Sequence, residues 1–325
     1  MFKHFFVLLA SFLFISPGLS MAGEETTVSA TEEVASLEEP MTASEVAEQY
    51  RQKLKETVSA PIAPEENYTF EFDSFGRYMP TVDAKNQSGK VGVVDSASEF
   101  NYLFKLFGKI PTQAGVIAEY ISINNSTDLL LPSKLTGVSI GMESTVPFFN
   151  LNKTFLRFGI APSFYGDSWN IRTSNFRIPM RFFLIHTPNE KLVLIGGVAV
   201  RPNFREVVLP ILGFIYMPNE RWVFNIVPDR PNITYNINKK WSVFLEGDQT
   251  GGEYKVNLED RKDQVMEYNE NHAGLGTSYE FNKYLQVSLS GGYMFNRTIR
   301  YRHKDLGKVA LENGAYTELR VEVTI

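Results

Sequence analysis

Apolar and polar residues alternate with a period of two along much of the chain, most regularly near its C-terminus. Over residues 285–295, leucine, valine and aromatic residues occupy one set of alternate positions, and glutamine, serine and glycine occupy the other. The last residues repeat the pattern, because charged residues separate Leu319, Val321 and Val323. Successive side chains of a strand point to opposite faces, so this period predicts β-strands. A soluble β-sandwich has the same period, which leaves two fold classes open.

Short turns built on asparagine beside charged residues separate the predicted strands. These Asn turns are Asn152-Lys153, Pro188-Asn189-Glu190-Lys191, Pro218-Asn219-Glu220-Arg221, Asn238-Lys239-Lys240 and Asn282-Lys283. Trp222, Trp241 and Tyr284 directly follow three of them or lie next to them, and Phe281 precedes the last. Aromatic rings favour the membrane interface, so this arrangement is typical of one rim of a transmembrane β-barrel.

The spaces between the Asn turns fit up-and-down hairpins with longer connections at the far end. Residues 241–247 and 271–281, for example, are predicted strands on either side of a long polar loop that contains Gly251-Gly252-Glu253-Tyr254. Short turns on one side and long loops on the other are typical of outer-membrane barrels, so we expect the Asn turns in the periplasm. Counting from Val91 predicts an all-β, antiparallel up-and-down transmembrane β-barrel of roughly 12 strands, within a range of about 10 to 14.

Two features do not fit regular strands. Pro147, Pro162, Pro179 and Pro210 fall inside or at the ends of predicted strands, where a missing N–H breaks the ladder unless a bulge absorbs it. Residues 192–200 and 207–216 are apolar on both faces in places. A narrow barrel filled by its own side chains accounts for the second feature.

The N-terminus predicts export. Lys3 and His4 precede an apolar run over residues 5–15, and Ser20-Met21-Ala22 fits a small-x-small cleavage site, so residues 1–22 are a predicted signal peptide. Residues 23–66 form an acidic leader with a net charge of −8, predicted to be disordered except for a short helix near 43–56. That helix is either a spacer, a partner-binding element or a plug. The barrel domain covers residues 67–325.

The composition excludes some chemistry. The chain has no cysteine, so it has no disulfide, thiolate metal site or cysteine nucleophile. His272 and His303 are interpreted as loop residues and His186 as a hydrogen-bonded residue at the opposite rim, and no nucleophile motif accompanies them. We therefore expect no enzyme activity, no cofactor, no metal site and no nucleic-acid partner.

Several turn and strand motifs carry a family resemblance. They are Leu209-Pro210-Ile211-Leu212-Gly213-Phe214-Ile215-Tyr216, Pro218-Asn219, Trp222, Pro228, Tyr235-Asn236 and Gly251-Gly252-Glu253-Tyr254. Together they resemble an uncharacterised family of bacterial outer-membrane β-barrels, the domain of unknown function six-two-six-eight, over residues 91–325. The resemblance implies a barrel fold and an outer-membrane location, and it brings no known activity.

Charged residues at inward-facing strand positions are the candidate functional residues, since charge is costly towards lipid. The predicted lumen-lining charges are Arg157, Arg177, Arg181, Glu246, Glu280 and Glu318. Arginines opposite glutamates would create a transverse field that selects small polar solutes. The alternative is an internal salt-bridge network that closes a narrow barrel.

These observations predict an outer-membrane barrel that is a passive, porin-like channel or a transporter of small polar solutes. Its expected partners are outer-membrane lipid, lipopolysaccharide and the barrel-assembly machinery. The alternatives are a structural or surface-interaction barrel without a pore, an outer-membrane hydrolase and a soluble exported β-sandwich.

Overall fold

The computed structural model describes residues 69–325 except 86–87, 126–128, 150, 171, 203–204, 229, 259–260 and 304–306. The predicted signal peptide (1–22), the acidic leader (23–66) and the helix near 43–56 lie outside the described residues. Within the described part of the chain, no helix is long and apolar enough to cross a membrane.

Within the described residues, seventeen strand segments form one closed antiparallel barrel. They are β1 (Thr69–Asp83), β2 (Lys90–Leu106), β3 (Ile110–Asn125), β4 (Lys134–Pro147), β5 (Thr154–Ile160), β6 (Ser163–Gly166), β7 (Phe176–Arg177), β8 (Met180–Asn189), β9 (Leu192–Val200), β10 (Val208–Tyr216), β11 (Trp222–Ile226), β12 (Asn232–Asn236), β13 (Trp241–Leu258), β14 (Arg261–Asn282), β15 (Leu285–Tyr301), β16 (Lys308–Ala310) and β17 (Gly314–Thr324). A 3₁₀ turn, Thr173–Asn175, precedes β7. Pairing of β1 with β17 closes the sheet.

Three strands of the barrel are interrupted, and each of them is made of two segments. The seventeen described segments therefore make fourteen barrel strands. The interruptions separate β5 from β6, β7 from β8, and β16 from β17. The predicted transmembrane β-barrel is confirmed, with a strand count at the upper limit of the predicted range. The count from Val91 did not include β1, which lies N-terminal to it.

Two prolines explain two of the interruptions. Pro162 stands between β5 and β6, and Pro179 stands between β7 and β8. Their carbonyls still accept hydrogen bonds, at 2.9 Å from the N–H of Ile140 and at 2.9 Å from the N–H of Ala161. The ladder therefore loses the proline donors and keeps their acceptors. The other two prolines that did not fit regular strands cause no break, since one ends β4 and the other is paired within β10.

Side-chain hydrogen bonds explain why asparagine recurs in the turns. The Oδ1 atoms of Asn189, Asn219, Asn238 and Asn282 each accept a hydrogen bond from the N–H two residues later, at 2.8 to 3.0 Å. This bond mimics a backbone turn. We call this end of the barrel the turn end and the opposite end the loop end.

An apolar belt surrounds the barrel. Large apolar side chains are exposed on the outer face of most strands, and aromatic residues stand at the turn end, as predicted. Examples are Val94, Val116, Ile140, Phe158, Leu184, Leu194, Leu212, Val243, Leu275, Leu289 and Leu319 in the belt, and Trp222, Trp241, Phe281 and Tyr284 at the turn end.

One predicted loop is wrong. Residues 248–258 continue β13 and residues 261–270 belong to β14, so the two strands form a long hairpin in which Gly251 pairs with Asn269, and Glu253 pairs with Glu267. The strand period is present here, since Tyr254 and Val256 on one strand and Met266, Tyr268 and Glu270 on the other are buried at alternate positions. The opposite face is polar, and it faces a cavity instead of lipid, so the segment resembled a loop in the sequence.

The barrel has two unequal walls. The tall wall consists of β13–β17 and β1–β4, most of whose strands are long, and the low wall consists of the shorter strands β8–β12. Strand β13 pairs with β12 over residues 242–246 and then leaves it. Further up, the N–H of Asp167, just after β6, donates to the carbonyl of Lys255 at 3.1 Å, and the N–H of Asn257 donates to Oδ2 of Asp167 at 2.6 Å. The upper part of β13–β14 therefore leans across the lumen.

Behind this hairpin, the loop end of the tall wall encloses an apolar core. Its fully buried members include Met79, Val91, Val93, Leu135, Val256, Met266, Tyr268, Met294, Ile299 and Leu311. These side chains fill the lumen on that side, in the way a small barrel is filled by its own interior residues.

Candidate functional site

A layer of buried ion pairs crosses the lumen beneath the apolar core. Arg77 on β1 is 3% exposed, and its guanidinium donates to Oε2 of Glu318 at 2.7 and 2.9 Å. The same guanidinium lies 3.8 Å from a carboxylate oxygen of Asp95 and 3.8 Å from one of Glu270. Arg77 thus joins β1 to β17, β2 and β14.

The layer extends towards the low wall through Glu318. Its Oε1 lies 3.0 Å from Nη2 of Arg230, in the β11–β12 connection, and 3.4 Å from the guanidinium of Arg320. Nη2 of Arg230 is also 3.8 Å from Oε2 of Glu246, whose Oε1 accepts a hydrogen bond from Tyr316 at 3.1 Å. Two of the predicted lumen charges, Glu246 and Glu318, therefore share one arginine.

His272 was interpreted as a solvated loop residue, and this interpretation is wrong. The residue is 3% exposed on the inner face of β14. Its Nε2 lies 3.4 Å from Nη2 of Arg77, and its ring packs edge-on against Tyr316 at 5.1 Å. The physical reason is the extension of β14, which turns a predicted loop margin into a strand interior. Nδ1 of His186 lies 2.9 Å from Oγ1 of Thr154, in the hydrogen-bonded role expected at the turn end.

A cavity of about 560 Å³ opens at the turn end, and we call it the vestibule. Glu280, another predicted lumen charge, lines it together with Glu246, Glu318 and Arg230. Serine, threonine and asparagine side chains of β12, β13, β14 and β15 also line it, as do Lys239, Lys240 and Lys283 of the Asn turns. The vestibule is therefore a polar surface that ends at the ion-pair layer.

A second cavity of about 870 Å³, the side chamber, lies between the low wall and the leaning hairpin. The inner faces of β8–β10 and the residue that follows β11 give it an apolar side, which includes Phe183, Ile195, Leu209, Ile211 and Val227. The outward face of β13 and β14 supplies the opposite side, which is polar. Its residues include Gln249, Gly251, Glu253, Glu267 and Asn269.

Arg157 and Arg181 meet at one end of the side chamber. Nε of Arg157 lies 3.5 Å from Oε1 of Glu143, and Nε of Arg181 lies 3.2 Å from Oε2 of the same carboxylate. Arg157 also donates to Oγ1 of Thr145 at 3.0 Å. Two predicted lumen arginines thus share a glutamate on β4.

Arg177, the third predicted arginine, lies elsewhere. It is buried next to the interruption between β7 and β8, and its Nη1 donates to the carbonyls of Ser174 and Phe176 at 3.3 and 3.0 Å. The six predicted charges therefore fall in different places: one pair at the chamber, three acids around the vestibule, and this arginine at the end of β7. Sequence reasoning missed the partners Arg77 and Glu143, although both stand at alternating inward positions of β1 and β4.

Several ion pairs lie at the loop end of the side chamber. Counted from the turn end, their residues lie beyond the roughly 9–11 residues that a strand needs to cross hydrocarbon. The guanidinium of Arg302 lies 2.6 Å from Oε2 of Glu253, and the backbone N–H of Arg205 donates to Oε1 of Glu253 at 2.5 Å. Arg300 donates twice to Glu267, at 2.5 and 2.6 Å. Burial raises the pKa of Glu267, but hydrogen bonds from Arg300 and Asn269 outweigh it and hold the pKa below its usual value.

A closed antiparallel barrel with an apolar belt outside and polar cavities inside is a transmembrane β-barrel. The model of the family described as Domain of unknown function (DUF6268) matches residues 109–323, and the chain belongs to this family. The predicted resemblance is thereby confirmed. No curated protein matches the chain.

Several solved barrels are similar in structure at low identity. An outer membrane channel from Pseudomonas putida F1 has a TM-score of 0.45 and 10% identity over 82% of this chain and 100% of that one. The toluene transporter TodX of Pseudomonas putida has a TM-score of 0.34 and 11% identity, over 81% and 89%. The translocator domain of the autotransporter NalP from Neisseria meningitidis has a TM-score of 0.35 and 9% identity, over 86% and 95%. Similarity at this level does not transfer function.

Proposed function

We propose that this protein is an outer-membrane channel for small polar solutes. The observation that carries the proposal is the pair of cavities at the two ends of the lumen, the side chamber and the vestibule. Val227 and Pro228 line the side chamber, and Arg230, just beyond them, lines the vestibule. The two cavities therefore approach each other at the β11–β12 connection, and this is the path that we assign to the solute.

Arg230 is the constriction of this path. Its side chain is 34% exposed and is held by Glu318 and Glu246. The backbone of Arg230 has a positive φ of 70°, which is uncommon for a residue with a side chain. A single guanidinium between two carboxylates, in a lumen of low dielectric, affects permeating ions more strongly than the same charges in water.

Planar-bilayer recording of the full-length chain, refolded in detergent, tests the channel. We expect discrete current steps, and larger steps with a changed cation-to-anion preference for Arg230→Ala. Arg221→Ala is the matched control, because Arg221 lies in an Asn turn and contacts Tyr235 at 3.3 Å, outside the vestibule lining. Absence of steps from protein with a barrel-type circular dichroism spectrum would contradict the proposal.

A structural or surface-interaction barrel is the second candidate. The apolar core that fills the tall-wall side of the lumen and the ion pairs below it favour this candidate. In that case bilayers stay silent, whereas the loop end binds lipopolysaccharide vesicles. Vesicle sedimentation measures this binding. Binding to the vesicles without current steps in the bilayer supports this function over the channel.

We also infer that the protein acts without catalysis, since His272 is held by Arg77 and Tyr316 inside the lumen. His272→Ala is expected to leave phospholipid and peptide hydrolysis at the background level of the unmodified protein. A hydrolysis rate that falls on this substitution would contradict the inference.

The location forms part of the same proposal. Export through residues 1–22 and insertion by the barrel-assembly machinery would place the Asn turns in the periplasm and the loop end outside. Two measurements on cells with an epitope tag in the β9–β10 connection test this. Fractionation should recover the tagged protein in the outer membrane, and antibody should bind the tag on intact cells. A tag that becomes accessible only after lysis would reverse the orientation.

A further inference from the structure

Two strand edges border the side chamber without a strand between them. On its β11 side, β10 is paired only over residues 214–216. On its β12 side, β13 is paired only over residues 242–246 until it meets β6 at Lys255. Within the described residues, no strand pairs with β10 at 208–213 or with β13 at 249–254 on these sides. The wall of the barrel is therefore open on the loop-end side of the short β11–β12 hairpin, and we call this opening the window.

The direction of the backbone bonds on β10 shows which groups meet the window. The N–H of Met217, just after β10, donates to the carbonyl of Lys191 at 2.8 Å, so the odd-numbered residues of β10 bond to β9. The backbone groups of residues 208, 210 and 212 therefore point into the window. Pro210 stands in the middle of these positions and has no N–H, which is the place where a strand edge tolerates proline.

The β13 edge follows the same logic. The N–H of Gly247 donates to the β11–β12 connection at 3.0 Å, so the odd-numbered residues of β13 point to this side. Gln249, Gly251 and Glu253 thus form the second edge of the window. The N–H of Gln249 donates to Oδ1 of Asp248 at 2.7 Å. Each edge therefore offers one N–H fewer to a strand partner, through proline on β10 and through aspartate on β13.

The β10 side of the window lies at the depth of lipid hydrocarbon. With nine residues, β10 is close to the roughly 9–11 that a tilted strand needs to cross this layer, so residues 208–212 lie within it. Val208 and Leu212 are 57% and 76% exposed on the outer face of the barrel. Backbone edges at this depth are tolerated where they line a cavity, and the side chamber lies directly behind them.

The window leads into the side chamber. Pro210 and Gly251, one from each edge, are exposed and also line the chamber. Behind them lies the apolar side of the chamber, where Leu209 and Ile211 are nearest to the window. At the loop end, the backbone N–H of Arg205 donates to the β13 edge at Oε1 of Glu253, so the window is separate from the chamber mouth.

The chemistry of this route favours molecules without charge. The charged side chains around the chamber form ion pairs with one another, which favours neither cations nor anions. A charged solute would lose its hydration on passing into hydrocarbon, whereas an apolar one gains by leaving water. Only the second kind of solute is at home on both sides of the window.

We propose that the side chamber opens sideways through the window and exchanges small uncharged apolar molecules with the bilayer. The molecule lies in the chamber against Phe183 and Ile211 and passes between the edges of β10 and β13. The chamber volume of about 870 Å³ is within the range of small-molecule sites. This inference goes beyond the proposed channel, whose path ends in the vestibule, because it gives the chamber an exit into lipid.

Nitroxide spin labels on single cysteines test the inference, since the chain has no cysteine of its own. Ile211→Cys places the label in the chamber beside the window. Ser290→Cys is the matched control, because Ser290 lines the vestibule on a strand that is paired on both sides. Both positions are the sixth residue of their strand from the turn end, so their depth in the bilayer is matched.

The labelled, full-length chain is reconstituted in phosphatidylcholine vesicles. Collisions of the label are measured with oxygen, which concentrates in hydrocarbon, and with a water-soluble nickel chelate. We expect oxygen collisions to exceed nickel collisions at position 211 and the reverse order at position 290. Nickel in excess of oxygen at both positions would overturn the window. Leu209→Cys, on the same inner face, replaces Ile211→Cys where that variant fails to refold.

Naphthalene and naphthoate then test the class of solute. Naphthalene should reduce oxygen collisions at position 211 in a saturable way, because it fills the chamber, and should leave them unchanged for Leu212→Cys on the outer face. Equal loss at both positions, or saturable loss with naphthoate, would overturn the assignment to uncharged molecules that enter the chamber.

Conductance of the unmodified protein is recorded separately, so the window and the channel are judged apart. Current steps without oxygen access at position 211 overturn the window and leave the channel in place. Oxygen access without current steps retains the window and removes the channel.

Discussion

The tall and low walls are built from the same period of two and enclose opposite environments. In the tall wall, the inner faces of β1, β2, β14 and β15 meet across a short distance, and Met79, Val93, Met266 and Ile299 exclude water. In the low wall, Ile185, Val193, Ile215 and Val223 form a smaller buried cluster near the turn end, and above it the described residues leave an open cavity against the inner face of β8–β10. Phe183 and Leu209 line this cavity, the side chamber.

The difference shows that the alternation of apolar and polar residues determines which side chains point inwards. It does not determine whether an inward side chain packs in a core or lines a cavity. Strand length and the lean of the β13–β14 hairpin decide that. An inward-facing apolar residue is a core residue where another part of the structure packs against it, and it lines a cavity where none does. The same substitution at these two kinds of position should therefore have different effects on stability.

The largest effect is expected from Arg77→Ala, which would break the layer that joins the tall wall. It leaves Glu318, Asp95 and Glu270 buried without their shared arginine, and such losses cost about 3–5 kcal/mol. Urea unfolding in lipid vesicles, followed by tryptophan fluorescence, measures the free energy of unfolding. Arg221→Ala should change this free energy by no more than about 0.5 kcal/mol. Equal effects of the two substitutions would refute a structural role for the ion-pair layer.

A matched pair of leucines compares the walls directly. Leu135 is 0% exposed in the apolar core, so Leu135→Ala should lower the free energy of unfolding by about 2–5 kcal/mol. Leu209 is half-buried beside the chamber, and Leu209→Ala should cost about 1 kcal/mol or less, since it enlarges an existing cavity. The same urea titration measures both. A larger cost at Leu209 would mean that the chamber is closed in solution.

The seam between β6 and β13 should respond by about 1 kcal/mol. Asp167→Ala removes the side-chain acceptor for the backbone and the side-chain amide of Asn257, with donor distances of 2.6 to 3.4 Å. We expect faster hydrogen exchange at Asn257 and its neighbours, with little change in global unfolding. Asp83→Ala, which removes an exposed pair with Lys90 at 3.9 Å, is the control. Unchanged exchange at Asn257 would show that Asp167 does not hold the seam.

The smallest effect is a pH dependence at the loop end. The pKa of Glu267 is lowered in the folded protein, so its charge stabilises the fold above its ordinary pKa, and this stabilisation is lost as the pH falls through the folded-state pKa. Because the pair with Arg300 is partly exposed, we expect about 1 kcal/mol or less. Unfolding of Glu267→Gln and of the unmodified protein should differ at neutral pH and coincide in acid. A difference that grows in acid has the wrong sign for this pair.

The turns and the fold class could be predicted because their causes are local. Asn219 and Asn238 accept hydrogen bonds from backbone N–H groups two residues later, so the sequence itself carries the turn. Alternation then predicts the strands between turns. Pro162 and Pro179 were correctly identified as obstacles to regular strands, although the strands are interrupted at these prolines and do not absorb them in bulges.

The site depends on contacts that no local pattern contains. Arg77 and Glu318 are separated by 241 positions and meet because β1 closes on β17. The upper half of β13 and β14 resembled a loop because its polar face lines a chamber that exists only once the hairpin leans over. Glu143 was missed for the same reason, since its two arginines come from β5 and β8.

The low wall also has a consequence for the lipid around it. Strands β11 and β12 hold five residues each, whereas the adjacent β13 holds eighteen. Five tilted residues rise roughly 12 Å, against an apolar band of about 25 Å in outer-membrane barrels. Irregular backbone is not tolerated against hydrocarbon, so acyl chains beside these strands must shorten to match them. The protein is therefore expected to hold a thinned sector of bilayer next to a sector of ordinary thickness.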